Sequence, residues 1–330
     1  MLKSKSKYYY DKLDEESKKI YNSILSAWEA RNPNASFKMN PVSKSKDIQK
    51  ILKYIEIDNP GLFYVDFKRL SVGGFAIMGS VNAKFLYDNN QIDNMEKQFE
   101  SVISSVLAAN DFNSMDNYNK EIALYDYLVK NVSFAFNGSN DETTSITGAL
   151  LFEKAVCEGY SKTFKLLCDN CGLPSIIVTG TAALPNKQEE HHVWNMVMLD
   201  NGFAHVDVTW DSANRGNSET SYDNFNLTDE DAANDHTWNT ALLPPCNSSG
   251  LNYFIKNELC AADRDEFINI VKSQAQLGKK TISVKLTGRE VTHDWMVKAT
   301  NEAMKGIAGD SQRIGFRYNI NRRIASINLS

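Results

Sequence analysis

Two apolar stretches, HHVWNMVML (191–199) and FAHVDVTW (203–210), flank Asp200-Asn201-Gly202. An Asn-Gly pair between such runs is a strong short-range signal for a β-hairpin. The middle of this chain is therefore predicted to build antiparallel sheet. SIIVTGTA (175–182) precedes the hairpin as another buried strand. Before it, the stretch from Cys157 reads as a helix that stops at Gly172, with Pro174 beyond.

The flanks have their own periodicity. Leu13, Ile20, Ile24, Leu25 and Trp28 recur at helical spacing, and Asn32-Pro33-Asn34 ends that helix. A strand ASFKM, a helix from about Ser45 to Ile57, and two strands, LFYVDFKRL and FAIMGSVNAKFLY, around Gly73-Gly74 complete an α-β-α-β-β order. Helices are expected over 91–110 and 116–132, the second with Ile122, Tyr125, Leu128 and Val129 on one face. The last seventy residues read as a helix (263–276), a strand TISVKL, a helix (289–306) and two more strands, again α-β-α-β-β. Three regions are expected: 1–90, 91–260 and 261–330. The outer two have the element order of diverged copies of one small module.

The chain has 330 residues, enough for one large domain or two to three small ones. No run approaches the ~18 consecutive apolar residues of a membrane span. The N-terminus lacks the apolar core of a signal peptide. As written the chain reads as cytoplasmic, and a secreted protein whose signal had been removed would look the same, so the compartment stays unassigned. A net charge of −5 without a dense basic run argues against a nucleic-acid partner. Five cysteines, an odd number, do not form a disulfide framework.

Cys157 opens its helix, where unpaired backbone N–H groups and the positive dipole end stabilise a thiolate. Taken singly, a cysteine is a small residue that packs well in a core. His191 and His192 begin one hairpin strand, and Asp207 lies between Val206 and Val208 on the other. A thiol at a helix N-terminus, an imidazole on one strand and a carboxylate on the next make a generalised nucleophile–base–orienter set.

AVCEGYSKTFKLL, HHVWN and HVDVTWD, in that order and at those spacings, resemble the transglutaminase-like (papain-like thiol enzyme) superfamily, particularly its bacterial branch. YDYLVKNV before them and YDNFNLTDEDAANDHTW after them extend the resemblance to about residues 95–245. It implies an α+β papain-like core, a cysteine helix packed on an antiparallel sheet, flanked by small α/β segments. It further implies Cys157 as nucleophile, His192 as base and Asp207 as orienting carboxylate, acting on a protein or peptide substrate without cofactor or metal.

Strand alternation puts His192, Trp194 and Met196 on one face and His191, Val193 and Asn195 on the other, so only one histidine faces the thiol. A two-residue turn at Asn201-Gly202 would set His192 opposite Asp211, leaving Asp207 four residues off, about 13 Å. A longer loop or a bulge restores Asp207. The motif selects Asp207, with Asp211 as its rival. The Cys157 N–H is one expected oxyanion donor, and Tyr160 is weighed as the second against a packing role.

Cys168 and Cys171 form a C-x-x-C, but no second pair completes a zinc site. That also counts against the peptide N-glycanase relatives of the superfamily. Cys246 and Cys260 are a possible disulfide pair in an oxidising compartment. The loop DSANRGNSETSYD fails as a calcium loop, since Ala213 and Arg215 occupy ligand positions. His236 in NDHTW is left between a loop-fixing bond and substrate contact. The expected function is thioester-forming acyl transfer from peptide or glutamine-type amides, with protease or amidase chemistry ahead of transamidation. The alternative is a papain-like fold used as a non-catalytic binding module.

Overall fold

A computed structural model describes residues 2–38, 45–75, 77–183, 187–200, 202–213, 220–288, 292–305 and 314–329. The chain divides into two compact units, Met1–Val178 with Val193–Met198 and Thr179–His192 with Leu199–Ser330.

The first unit opens with the one-turn helix α1 (Tyr8–Asp11) and with α2 (Glu15–Glu29). Asp14 caps α2 by accepting the Ser17 N–H. Ile20, Tyr21, Ile24, Leu25 and Trp28 form its buried stripe. β1 (Asn34–Lys38), α3 (Ser45–Asp58), β2 (Ser71–Phe75) and β3 (Met78–Asn82) follow, with an antiparallel sheet in the order β1-β3-β2. The strand expected over LFYVDFKRL does not form. Leu62, Phe63, Tyr64 and Val65 are all buried, which a strand with one covered face would not allow. The Val65 N–H turns back to the Leu62 carbonyl, and Val65 makes only an isolated bridge to Phe85. Gly73 and Gly74 lie inside β2, not between strands.

α4 (Asn89–Ala108) starts at an Asp88–Gln91 capping box, and α5 (Asn117–Asn131) is capped by Asp116. β4 (Ser133–Phe134) runs parallel to β5 (Lys154–Ala155), with α6 (Ile146–Leu151) between them in sequence. α7 (Cys157–Cys171) then ends at Gly172, whose φ of 75° is the left-handed cap. Gly159 lets this helix approach the 143–145 loop: a Cβ there would stand 2.3 Å from the Thr143 carbonyl oxygen. β6 (Ser175–Ala182) and β7 (Glu190–Leu199) come next.

The remaining elements are β8 (Gly202–Val206), α8 (Val208–Ala213), α9 (Asp229–Ala232), β9 (His236–Trp238), α10 (Tyr253–Lys256), β10 (Cys260–Ala261), α11 (Arg264–Gln276), β11 (Thr281–Leu286), α12 (His293–Ala303), β12 (Ile314–Asn319) and β13 (Ile324–Leu329). One sheet has the order β8-β7-β6-β9, and a second has the order β10-β11-β13-β12. Ile282, Val284 and Leu286 alternate inward on β11 and pack with Phe267, Val271 and Ile327. Asn201 of the expected turn, the first residues of the expected helix over 289–306, and Arg215 lie outside the described residues.

The two ends of the chain share more than element order. β1-β3-β2 and β11-β13-β12 have the same strand order, each with an antiparallel hairpin at one side.

Candidate active site

Cys157 is the first residue of α7 and is half-buried. Val156 precedes it in extended conformation and offers no side-chain cap. The backbone N–H groups of the first turn therefore have no capping side chain, the setting in which a helix end favours an anion. Further along the helix, the Ser161 hydroxyl bonds the Cys157 carbonyl and the Val193 carbonyl, each at 2.9 Å. Asn195 Nδ2 donates to the Ser161 carbonyl at 3.1 Å. The cysteine helix is thus pinned to the central part of β7. Tyr160 is fully buried and gives its hydroxyl to the Val132 carbonyl at 2.7 Å, a packing role.

In the second unit, His191 is exposed and His192 is buried; from there β7 is covered on both faces, since Val193 and Asn195 are buried as well as Trp194 and Met196. His192 Nε2 lies 2.7 Å from Asp207 Oδ2. The hairpin register does not govern this pair, because β8 stops at Val206. Asp207 instead leads into α8, where its Oδ1 accepts the N–H groups of Thr209 and Trp210 at 3.0 and 3.3 Å. A carboxylate that caps a helix cannot continue the strand, so the strand expected through Trp210 ends four residues early. Asp211 is buried in α8, with its carboxylate accepting the backbone and side-chain N–H groups of Asn224 at 2.9 and 3.0 Å.

Burial by itself would raise the Asp207 acid. The His192 charge, with hydrogen bonds from His192 and His236, outweighs it and holds the carboxyl far below the usual carboxylate range. Asp207 is therefore an anion, and it only accepts hydrogen bonds. Sequence reasoning left the place of His236 open. Its Nε2 lies 3.2 Å from the same Asp207 Oδ2, and its Nδ1 faces Asp235. The Trp210 ring packs against both imidazoles, with centroids 4.6 Å from His236 and 5.6 Å from His192. Asp235, Trp210 and Arg322 were not singled out in the sequence. The only clue to Asp235 was its position beside the histidine in NDHTW.

Burial pushes the Cys168, Cys171, Cys246 and Cys260 thiols up. Among the described residues, two trios hold ligand-type atoms within 4.8 Å of one another: His192, Asp207 and His236, and His205, Asp229 and Cys246. In both, imidazole nitrogens point at carboxylate oxygens, at 2.7 and 3.2 Å in the first and 2.9 Å in the second. Those contacts are hydrogen bonds within the trio, and we assign neither a metal. No helix among the described residues is long and apolar enough to cross a membrane.

Residues 107–208 match the family model of the Transglutaminase-like superfamily. The chain carries a transglutaminase-like superfamily domain of α+β fold. Among solved structures it is similar to one described as a TGase, at 13% identity and a TM-score of 0.31, over 53% of this chain and 50% of that one. It is also similar to the periplasmic domain of TgpA from Pseudomonas aeruginosa, at 12% identity and a TM-score of 0.28, over 42% of this chain and 56% of that one. The chain thus spans about half the length of these structures. No curated protein matches it.

Proposed function

We propose that the protein is a thiol enzyme of acyl transfer, with Cys157 as nucleophile, His192 as base and acid, and Asp207 as the carboxylate that orients the imidazole. The observation that carries this reading is the buried His192–Asp207 pair at 2.7 Å. A carboxylate on Nε2 fixes a hydrogen there and leaves proton exchange to Nδ1. The Ser161–Val193 bond supports it further, since it ties the helix that Cys157 opens to the residue following His192.

The thiolate adds to an amide carbonyl carbon, and the carbonyl π pair moves to oxygen. The Cys157 backbone N–H faces the developing charge at the helix end. When the tetrahedral intermediate collapses, the carbon–nitrogen bond breaks and the His192 imidazolium gives its proton to the departing amine. A thioester remains. Water then attacks it, losing a proton to His192, and the thiolate is expelled. A primary amine in place of water would give transamidation. We place water first, because a cross-linking enzyme must both exclude water and admit a lysine-like amine.

The test is alkylation by iodoacetamide at neutral pH, followed by peptide mapping. Cys157 should react at least ~10-fold faster than Cys168 or Cys246, and His192→Ala should remove that advantage. Equal labelling of the three thiols would favour the non-catalytic binding module. Incubation with a glutamine-containing protein and a primary amine then separates the acceptors: ammonia release without amine incorporation marks hydrolysis.

A further inference from the structure

We propose that His236 is a positioning residue for the triad, a second imidazole that shares Asp207 with His192 and anchors it, through Asp235, to the buried guanidinium of Arg322. This rests on the acyl-transfer reading above and adds a member to that site.

The Asp207 carboxylate has two differently held oxygens. Oδ1 is fixed by the backbone of α8. Oδ2 receives only side chains in the contacts described above, His192 at 2.7 Å and His236 at 3.2 Å. Its direction, and with it the tilt of the His192 ring, therefore depends on where His236 stands. His236 is held on every side. Its backbone lies on β9, with His236 paired to Ala182 of β6. Its Nδ1 meets Asp235 Oδ1, and Trp210 covers its ring.

Asp235 is held in turn. Arg322 Nη2 donates to Asp235 Oδ1 at 2.6 Å, and Asn321 Nδ2 donates to Oδ2 at 3.0 Å. Arg322 is 1% exposed, and its other donors reach Asn224 Oδ1 at 3.0 Å and the Asp231 carbonyl at 2.7 Å. The groups alternate in kind: imidazole, carboxylate, imidazole, carboxylate, guanidinium. Ionised carboxylates only accept, and both ring nitrogens of His236 lie within hydrogen-bond distance of one. A single structural bond would need only one side of this ring. A loop-fixing histidine has no need of the triad carboxylate, and a substrate-contacting one would not have both nitrogens committed to buried acids.

Iodoacetamide alkylation of Cys157 reads the effect without a known substrate. Rates are compared in the wild type, His192→Ala, His236→Leu and His236→Gln, each checked for folding by near-UV circular dichroism. His236→Leu should slow Cys157 alkylation about 10–100-fold, by analogy with the loss of an outer hydrogen-bond partner at a metal site. His236→Gln, whose amide N–H can replace the Nε2 donor, should recover to within about 3-fold of wild type, a rescue that packing alone does not produce. If the Leu variant does not fold, His236→Asn, with an amide too short to reach Asp207, takes its place. Wild-type rates in His236→Leu, or equal loss in the Leu and Gln variants, overturn the proposal and leave the triad standing. Unchanged alkylation in His192→Ala overturns the acyl-transfer reading, and this proposal with it.

Discussion

The two ends of the chain share a helix-strand-helix-strand-strand order and the strand orders β1-β3-β2 and β11-β13-β12, the second extended by β10, yet each is fastened to its own unit by a different part. At the N-terminal end the fastener is the last turn of α3. Glu56 meets Lys162 at 3.3 Å, and Lys162 also meets Glu158 at 2.7 Å. Within the module Asp58 accepts the N–H groups of Tyr9 and Tyr10 at 3.2 and 2.8 Å, and Tyr9 gives its hydroxyl to the Ile177 carbonyl at 2.7 Å. At the C-terminal end the fastener is the β12–β13 hairpin. Arg317 and Asn319 reach Asp223 at 2.7 and 2.9 Å, and Arg322 reaches Asn224, Asp231 and Asp235. The strand order is set by local pairing within each module. The attachment is set by where a buried charge finds a partner, and that is free to move from a helix end to a hairpin turn. Both attachments end on segments of the candidate site: Lys162 lies five residues past Cys157 on α7, and Asp235 precedes His236.

The hairpin attachment should be the stronger, and removing Arg322 tests this most severely. Its side chain is fully buried against a nearly buried carboxylate. Burial pushes the Asp235 acid up, but His236 and Arg322 outweigh it and keep it low, so Asp235 stays charged. Arg322→Ala leaves that charge without its main counter-charge, which costs about 3–5 kcal/mol. The unfolding free energy from urea titration should fall by that amount. A loss below about 1 kcal/mol would mean that water replaces the guanidinium, and that the hairpin is not the fastener.

This contrast explains what the sequence could show. That Cys157 opens a helix and that His192 meets Asp207 were legible, because each residue sits in a short motif with a chemical reason. The helices were legible from period and caps, as Asp14, Asp88 and Asp116 show. The choice between Asp207 and Asp211 was not, because strand arithmetic assumed that β8 continues through Asp207. Whether an aspartate extends a strand or caps a helix depends on the N–H groups that reach it, here those of Thr209 and Trp210. Arg322 was invisible for a related reason. In NINRR it looks like a solvated turn, and only contacts to residues 87–98 positions away reveal it as buried. LFYVDFKRL misled in the opposite sense, because a run of apolar β-formers buried on all sides carries no period to separate strand from turn.

The helix-end attachment gives a smaller expected loss. Lys162 retains some solvent contact and divides its charge between two carboxylates, one on its own helix. Lys162→Met keeps most of the stem and removes the ammonium, at a cost of about 2–3 kcal/mol. The same urea experiment measures it beside Arg322→Ala. A larger loss in Lys162→Met than in Arg322→Ala would reverse the ranking of the two fasteners.

The finest distinction is in pH. Burial would raise the Glu56 acid, but the ammonium groups of Lys162 and Lys53 outweigh it and hold the carboxyl at about 2, from an ordinary 4.5. An acid depressed on folding adds stability that is fully present above its unfolded value and is lost as pH falls through its folded value. The contribution of Glu56 should therefore be complete above pH 4.5 and fade toward pH 2. With exposure of the partner Lys53 discounted, we expect wild type to exceed Glu56→Gln by about 1–2 kcal/mol at pH 6. Thermal unfolding of the pair from pH 6 down to about pH 2.5 should show the gap closing, while the acid limb common to both proteins cancels. A gap that stays constant or widens on acidification would mean that Glu56 is not held as an anion by Lys162. The N-terminal module would then be held to its unit by other contacts, among them Lys165 Nζ on the Ser6 carbonyl and the Tyr9 hydroxyl on the Ile177 carbonyl, each at 2.7 Å.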